Sequence, residues 1–302
     1  CAGGTIAINN TSSPVAGSIW AWNFGNGTTS TLQNPSVTYS TAGSYNVSLL
    51  VTASNGCTAI ANVPVTINPL PVASFNAPAT VCQGSVTPLI NTSGPGLGTI
   101  TSYAWNFGNG QTSVASNPTV TYTNPGNYTI TLTITNSFGC KDSALVIVTV
   151  PSLPDVVAIA DLAICIGDTV QLNVSGALNY TWQPAINLSN NAIANPLAWP
   201  NSTTEYIVTG QDALGCINSD SVVVTVNTLP TVNAGVDVWL CPGSDVQLTA
   251  TGTGNFSWTP TIGLSDPNIS NPMASPLDTT IYIVEITDNN GCKNTDTVTV
   301  FV

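Results

Sequence analysis

Eight cysteines are the side chains best suited to chemistry in this 302-residue chain, and they fall in pairs: Cys1 and Cys57, Cys82 and Cys140, Cys165 and Cys216, Cys241 and Cys292. The two members of each pair are about 50 to 60 residues apart, far too wide for a CxxC metal or redox site, and no His is available to complete a mixed zinc site. The arithmetic predicts one disulfide within each pair and therefore an oxidising compartment. A bridge closing a loop of about 50 to 60 residues contributes roughly 4 kcal/mol in the chain-entropy model. An N-terminal cysteine such as Cys1 is also what a processed lipoprotein carries, but Cys1 recurs in step with Cys82, Cys165 and Cys241, which favours the bridge.

Catalytic chemistry has little to work with. Without His there is no Ser-His-Asp or Cys-His system, and with every Cys paired there is no thiolate nucleophile. The two glutamates, Glu205 and Glu285, read as near-equivalent strand positions in separate repeats rather than as an acid/base pair. We therefore expect no enzyme activity. Calcium is the remaining cofactor candidate: Asp161 and Asp237 lie four residues before Cys165 and Cys241, and Asp212 and Asp288 four before Cys216 and Cys292. Calcium needs six to eight converging oxygens, yet Ala53 and Asn136 take the place of Asp212 in the earlier repeats, as an ordinary turn residue would. No cofactor is expected. Asp142, Asp168, Asp220 and Asp296 begin Asp-Ser/Thr-apolar triplets that read either as O-glycosylation sites or as plain strand sequence.

Charge excludes further partners. Fourteen acidic residues face two basic ones, Lys141 and Lys293, so nucleic acid and anionic membrane are poor partners. Residues 1–140 carry no Asp, Glu, Lys or Arg, and Asn, Thr, Ser and Gln make the polar surface instead. Neither a positively charged leader nor an apolar run of spanning length occurs, which predicts exported material that does not insert in a membrane. Lys141 and Lys293 each follow the second cysteine of a pair and read as exposed strand-edge charges.

The elements that hold these residues repeat along the chain. WNFGNG occurs at Trp22–Gly27 and again at Trp105–Gly110, and YTWQPAINL at Tyr180–Leu188 matches FSWTPTIGL at Phe256–Leu264. Four modules follow, at 1–69, 70–151, 152–228 and 229–302. Each is a series of short alternating segments broken by Gly, Asn and Pro, which read as strands of a sandwich. In the second module Tyr128, Ile130, Leu132 and Ile134 share one face, and in the first Tyr45, Val47 and Leu49 do so. Trp22, Trp105, Trp182 and Trp258 are expected in the cores, with Asn26-Gly27 and Asn109-Gly110 as tight turns. Short Leu-Pro junctions predict a semi-rigid, elongated array on the order of 140 Å long if each module spans about 35 Å. Nothing ahead of Cys1 corresponds to Pro71–Val81, so module one lacks an opening strand; either the chain is a piece of a longer one or a neighbour donates the strand.

These motifs carry a resemblance. Trp22, Asn23, Gly25 and Gly27, with their second copy Trp105, Asn106, Gly108 and Gly110, resemble the W-[DN]-F-G-[DN]-G signature of PKD domains. Asn34-Pro35 with Tyr39, Gly43 and Tyr45, and Asn117-Pro118 with Tyr122, Gly126 and Tyr128, resemble that family's downstream pattern. Modules three and four are similar to the PKD-like and Ig-like repeats of long surface proteins of Bacteroidetes-type bacteria, gliding adhesins among them. The resemblance implies an all-β fold of four tandem immunoglobulin-like sandwiches, located outside the cell or on a bacterial surface. Its family's acidic motif positions are Asn23, Asn26, Asn106 and Asn109 here, which counts against a metal role. The implied function is a stalk or filament segment whose partners are neighbouring modules of a longer chain or fibre. The alternatives are an array binding surface glycans or proteins directly, and accessory domains of a secreted hydrolase. Trp20, Trp199 and Trp239 lie outside the core motif, and burial of all three would weaken direct binding.

Overall fold

A computed structural model describes residues 1–13 and 16–302, and every regular element among the described residues is a β-strand. The chain divides into two compact units, Cys1–Ser152 and Leu153–Val302, each with two separate hydrophobic cores. No helix is long and apolar enough to cross a membrane.

In the first unit both modules are built on a four-stranded antiparallel sheet. Module two orders Thr112–Ser113, Ile100–Asn106, Gly126–Asn136 and Lys141–Val150. Module one repeats the order with Thr29–Ser30, Ile19–Asn23, Gly43–Thr52 and Thr58–Ile67. The two-residue period places Ile130, Leu132 and Ile134 in the core at 0% exposure, with Tyr128 partly buried on the same face. In module one Val47 and Leu49 are buried and Tyr45 packs beside them, as the alternation predicts. Short pairs cover the opposite face, Val86–Pro88 with Thr119–Thr121 and Phe75–Asn76 with Ile90–Asn91 in module two, and, among the described residues, only Thr5–Ala7 with Ser36–Thr38 in module one.

In the second unit the four-stranded sheet gains its opening strand. Leu162–Cys165 lies parallel to Ile217–Asn227, and Thr204–Gln211 and Asn179–Gln183 complete the sheet. Val238–Trp239 repeats this beside Lys293–Phe301 in module four, followed by Thr280–Thr287 and Asn255–Thr259. The tight Asn-Gly turn of the first unit is replaced here by cis peptides at Gln183-Pro184 and Thr259-Pro260.

The same polar ties recur inside all four cores. Trp22, Trp105, Trp182 and Trp258 are buried, and each indole N–H donates to a backbone carbonyl, of Leu32, Ala115, Ile193 and Ile269, at 2.9–3.0 Å. Four tyrosines act alike: the hydroxyls of Tyr39, Tyr122, Tyr206 and Tyr282 donate to the carbonyls of Phe24, Phe107, Ile186 and Ile262. Burial pushes all four phenols above their ordinary pKa. A large aromatic that satisfies its one polar atom can sit in a small core without leaving an unpaired donor.

A second tie joins the start of each complete module to its last strand. One carboxylate oxygen of Asp142, Asp220 and Asp296 accepts from the amide of Ala73, Ala158 and Ala234, at 2.8 Å in each case. Module one has Ala59 at the place of Asp142, opposite Val51 where Asp142 stands opposite Ile134, so it does not carry the carboxylate of this tie.

A Cβ on Gly108 (φ +78°) would lie 2.8 Å from the Thr129 carbonyl oxygen, whereas one on Gly110 (φ +87°) meets nothing. Gly108→Ala should therefore destabilise module two by on the order of 3 kcal/mol, and Gly110→Ala by about 1, read by hydrogen exchange of the Gly126–Asn136 amides. Hydrogen bonds from Ala158 and Ser221, and from Ala234 and Thr297, lower the carboxyl pKa of Asp220 and Asp296. The folded pKa then lies below the unfolded one, so this stabilisation is full above the unfolded value and is lost as pH falls through the folded value. Asp220→Asn with Asp296→Asn should flatten the melting-temperature profile of the second unit between about pH 5 and 2.

Candidate functional site

Two bridges join cysteines of different modules. Cys1 bonds Cys140 and Cys165 bonds Cys292, with Cα atoms 5.6 and 5.5 Å apart. Cys82 and Cys216 are disulfide-bonded as well, while Cys57 and Cys241 are free and exposed. The expected pairings Cys1 with Cys57, Cys82 with Cys140, Cys165 with Cys216 and Cys241 with Cys292 are therefore wrong. The reason is strand length. Cys82 follows Thr80, which bridges to Thr149 at the far end of the last strand, whereas Cys140 stands immediately before Lys141 at its near end. From Cys140 to Thr149 is nine residues, about 30 Å of extended chain, while a disulfide needs Cα atoms within about 7 Å. Cys165 likewise pairs with Asn227 and Trp239 with Phe301, far along the strand from Cys216 and Cys292. In module one the Ala2 amide donates to the Asn68 carbonyl, beyond the end of the strand that follows Cys57.

The Cys1–Cys140 and Cys165–Cys292 bridges both link the first cysteine of a leading module to the second cysteine of the module after it. They span sequence separations of 139 and 127 residues, for which loop-closure entropy gives about 5 kcal/mol each. Two recurring turns present the sulfurs. The second cysteine closes a turn in which the amides of Ala53, Asn136 and Asp288 donate to the carbonyls of Cys57, Cys140 and Cys292. The first opens a turn in which the carbonyls of Cys1, Cys165 and Cys241 accept from Gly4, Asp168 and Ser244.

The other sequence candidates hold backbone. Asn23 and Asn106 accept from the amides of Gly25 and Gly108, and Asn26 and Asn109 accept from Thr28 and Gln111. The side-chain amides of Asn26 and Asn109 also donate to the carbonyls of Thr38 and Thr121, a bond a carboxylate could not make. Asp212 and Asp288 accept from Cys216 and Cys292, as Asn136 does from Cys140, and Asp161 and Asp237 accept from Val223 and Thr299. Among the described residues no three of His, Cys, Asp and Glu converge. Asp168 accepts from the amide of Cys165 in its own turn.

Glu205 and Glu285 are not equivalent as expected. Glu205 lies opposite Val223, and Glu285 lies opposite Thr295. Lys293 is exposed but not unpaired, because its ammonium meets the Glu285 carboxylate at 2.7 Å, a surface pair of little energetic weight. Of the three outlying tryptophans, Trp20 is half-buried, Trp199 is 40% exposed, and Trp239 is 81% exposed while stacked on Phe301 at 4.3 Å.

A groove of about 350 Å³ in module one runs over Ile6, Trp22, Val47, Leu49, Val63 and Val65. Module two fills the corresponding space itself: the Phe75 ring meets Trp105 edge-on at 5.0 Å, and Val148, the counterpart of Val65, is fully buried. Val63 is 56% exposed, where its counterpart Val146 packs against the core.

Comparison with known proteins agrees with this build. The PKD domain family model matches residues 2–67 and 68–150. Within the chain, 78 residues are 44% identical to the pre-pro-metalloprotease PrtV of Vibrio cholerae, and 57 are 44% identical to collagenase ColA of Bacillus cereus. These segments are 26% and 19% of the chain but only 8% and 6% of those proteins. The crystal structure of the PKD1 domain of V. cholerae PrtV is 40% identical, covering 28% of this chain and 99% of that one, with a TM-score of 0.26. With the signature tryptophans buried, the Asn-Gly turns formed and the family model matched twice, residues 2–67 and 68–150 of this all-β tandem chain belong to the PKD domain family.

Proposed function

We propose that the chain is an extracellular structural segment, a semi-rigid stalk or filament piece on a bacterial surface, with neighbouring modules of a longer chain or fibre as its partners. The observation that carries this reading is the placement of the Cys1–Cys140 and Cys165–Cys292 bridges across module junctions. An intramodule bridge stabilises one core. A bridge from module to module resists bending and sliding at a junction, which is what a load-bearing array requires. The carboxylates of Asp161, Asp212, Asp237 and Asp288 are engaged with backbone amides, and the proposal includes no catalysis and no cofactor.

A second reading, direct engagement of surface glycans or proteins, is favoured by one observation: Trp239 presents an aromatic surface that is 81% exposed. Flat exposed indoles suit sugar faces. The match to segments of a metalloprotease and a collagenase supports a third, in which the modules accompany a secreted hydrolase.

Small-angle scattering separates these outcomes. The stalk reading expects a maximum dimension on the order of 140 Å, and increased flexibility when Cys1→Ser and Cys140→Ser are combined. A compact particle, or a double variant as stiff as the parent, contradicts it. For the direct-binding reading, Trp239→Ala should lower glycan-array signal at least tenfold; unchanged signal removes it.

A further inference from the structure

We propose that Cys241 of one chain forms a disulfide with Cys57 of a second copy, so that copies join head to tail through the same bridge that braces the modules within each unit. The inference deepens the filament reading above by naming the partner and the bond.

Both bridges in the described units run in one direction. The first cysteine of the leading module bonds the second cysteine of the following module, as Cys1 to Cys140 and Cys165 to Cys292. The two free thiols are one of each kind: Cys57 is a second cysteine and Cys241 a first. They are complementary halves of one further bridge. Each half is already formed. The Ala53 amide donates to the Cys57 carbonyl at 2.9 Å, as Asp288 does to bridged Cys292, and Ser244 donates to Cys241 at 3.1 Å, as Asp168 does to bridged Cys165 at 3.0 Å.

Exposure points the same way. Bridged Cys140 and Cys292 are 1% and 0% exposed, whereas Cys57 in the same turn is open to solvent. Beside Cys241, Trp239 and Phe301 stack as an apolar plate, and the Leu240 amide holds the Phe301 carbonyl at 2.7 Å. An exposed tryptophan two residues from an exposed thiol is a surface suited to cover by a docking module. Because the chain carries both halves, a second copy satisfies both. The contact is heterologous, so it propagates as an open series.

The bond requires a two-electron oxidant, and a small-molecule disulfide supplies it by exchange. The Cys57 thiolate attacks glutathione disulfide and releases one glutathione thiolate. The Cys241 thiolate of the second chain then attacks the Cys57 sulfur and releases the other. Two protein thiols become one disulfide, and glutathione disulfide becomes two glutathione thiols.

The test is non-reducing electrophoresis of the full chain after incubation with glutathione disulfide. The parent should give a reducible ladder in multiples of 30.9 kDa. Cys57→Ser and Cys241→Ser should each remain monomeric alone, and their equimolar mixture should give a dimer and nothing larger. Unchanged melting temperatures establish that both variants fold. A parent that stays monomeric with both thiols still alkylatable overturns the proposal. So does a covalent dimer of either variant alone, or a parent monomer that loses both thiols by closing on itself. Failure here leaves the scattering result for the monomer intact, so the stalk reading is judged separately.

Discussion

Everything in this molecule depends on the reach of one extended strand. The last strand of each module is nine to eleven residues long, and at about 3.3 Å per residue it holds the module's two cysteines at opposite ends. A cysteine that cannot reach its own module's partner can meet only a neighbour's. Sandwich geometry therefore converts a pattern that reads as four internal staples into a series of external braces. The same extension separates the labour of each module: the middle of the strand is core, and its two ends are connectors.

The cores are small and alike, and they are kept specific by a few satisfied polar atoms. A buried indole and a buried phenol in every module each donate to a main-chain carbonyl. Such bonds contribute modestly on their own, but leaving the donor unpaired would cost about 1–3 kcal/mol. They fix the register of loop against sheet. Asparagine performs the corresponding task at the surface of the first unit, accepting and donating within one turn. That dual use explains how residues 1–140 form regular turns with no ionised side chain among them.

Much of this was legible in the sequence. The two-residue alternation of Tyr128 to Ile134 gave the buried face correctly, and the paired WNFGNG motifs gave the buried tryptophans and Asn-Gly turns, whereas the groove over Trp22 and Val65 was not foreseen. Cysteine pairing was misread because intervals along the chain carry no information about direction in space. The signal was present all the same: each second cysteine directly precedes the last strand, and Cys82, Cys165 and Cys241 lie at the end of segments that pair with that strand's far end. The ties of Asp142, Asp220 and Asp296 to the opening segments were not visible, since a carboxylate bonding an amide some 60 to 70 residues away leaves no local pattern. The ion pair of Lys293 was missed for the same reason, being a contact across strands.

The central claim is that disulfides connect successive modules rather than close single ones. Proteolysis under non-reducing conditions at acidic pH, followed by mass spectrometry of the linked peptides, addresses it directly. The account predicts one peptide pair containing Cys1 with Cys140 and another containing Cys165 with Cys292. Recovery of Cys1 linked to Cys57, or of Cys165 linked to Cys216, would contradict it.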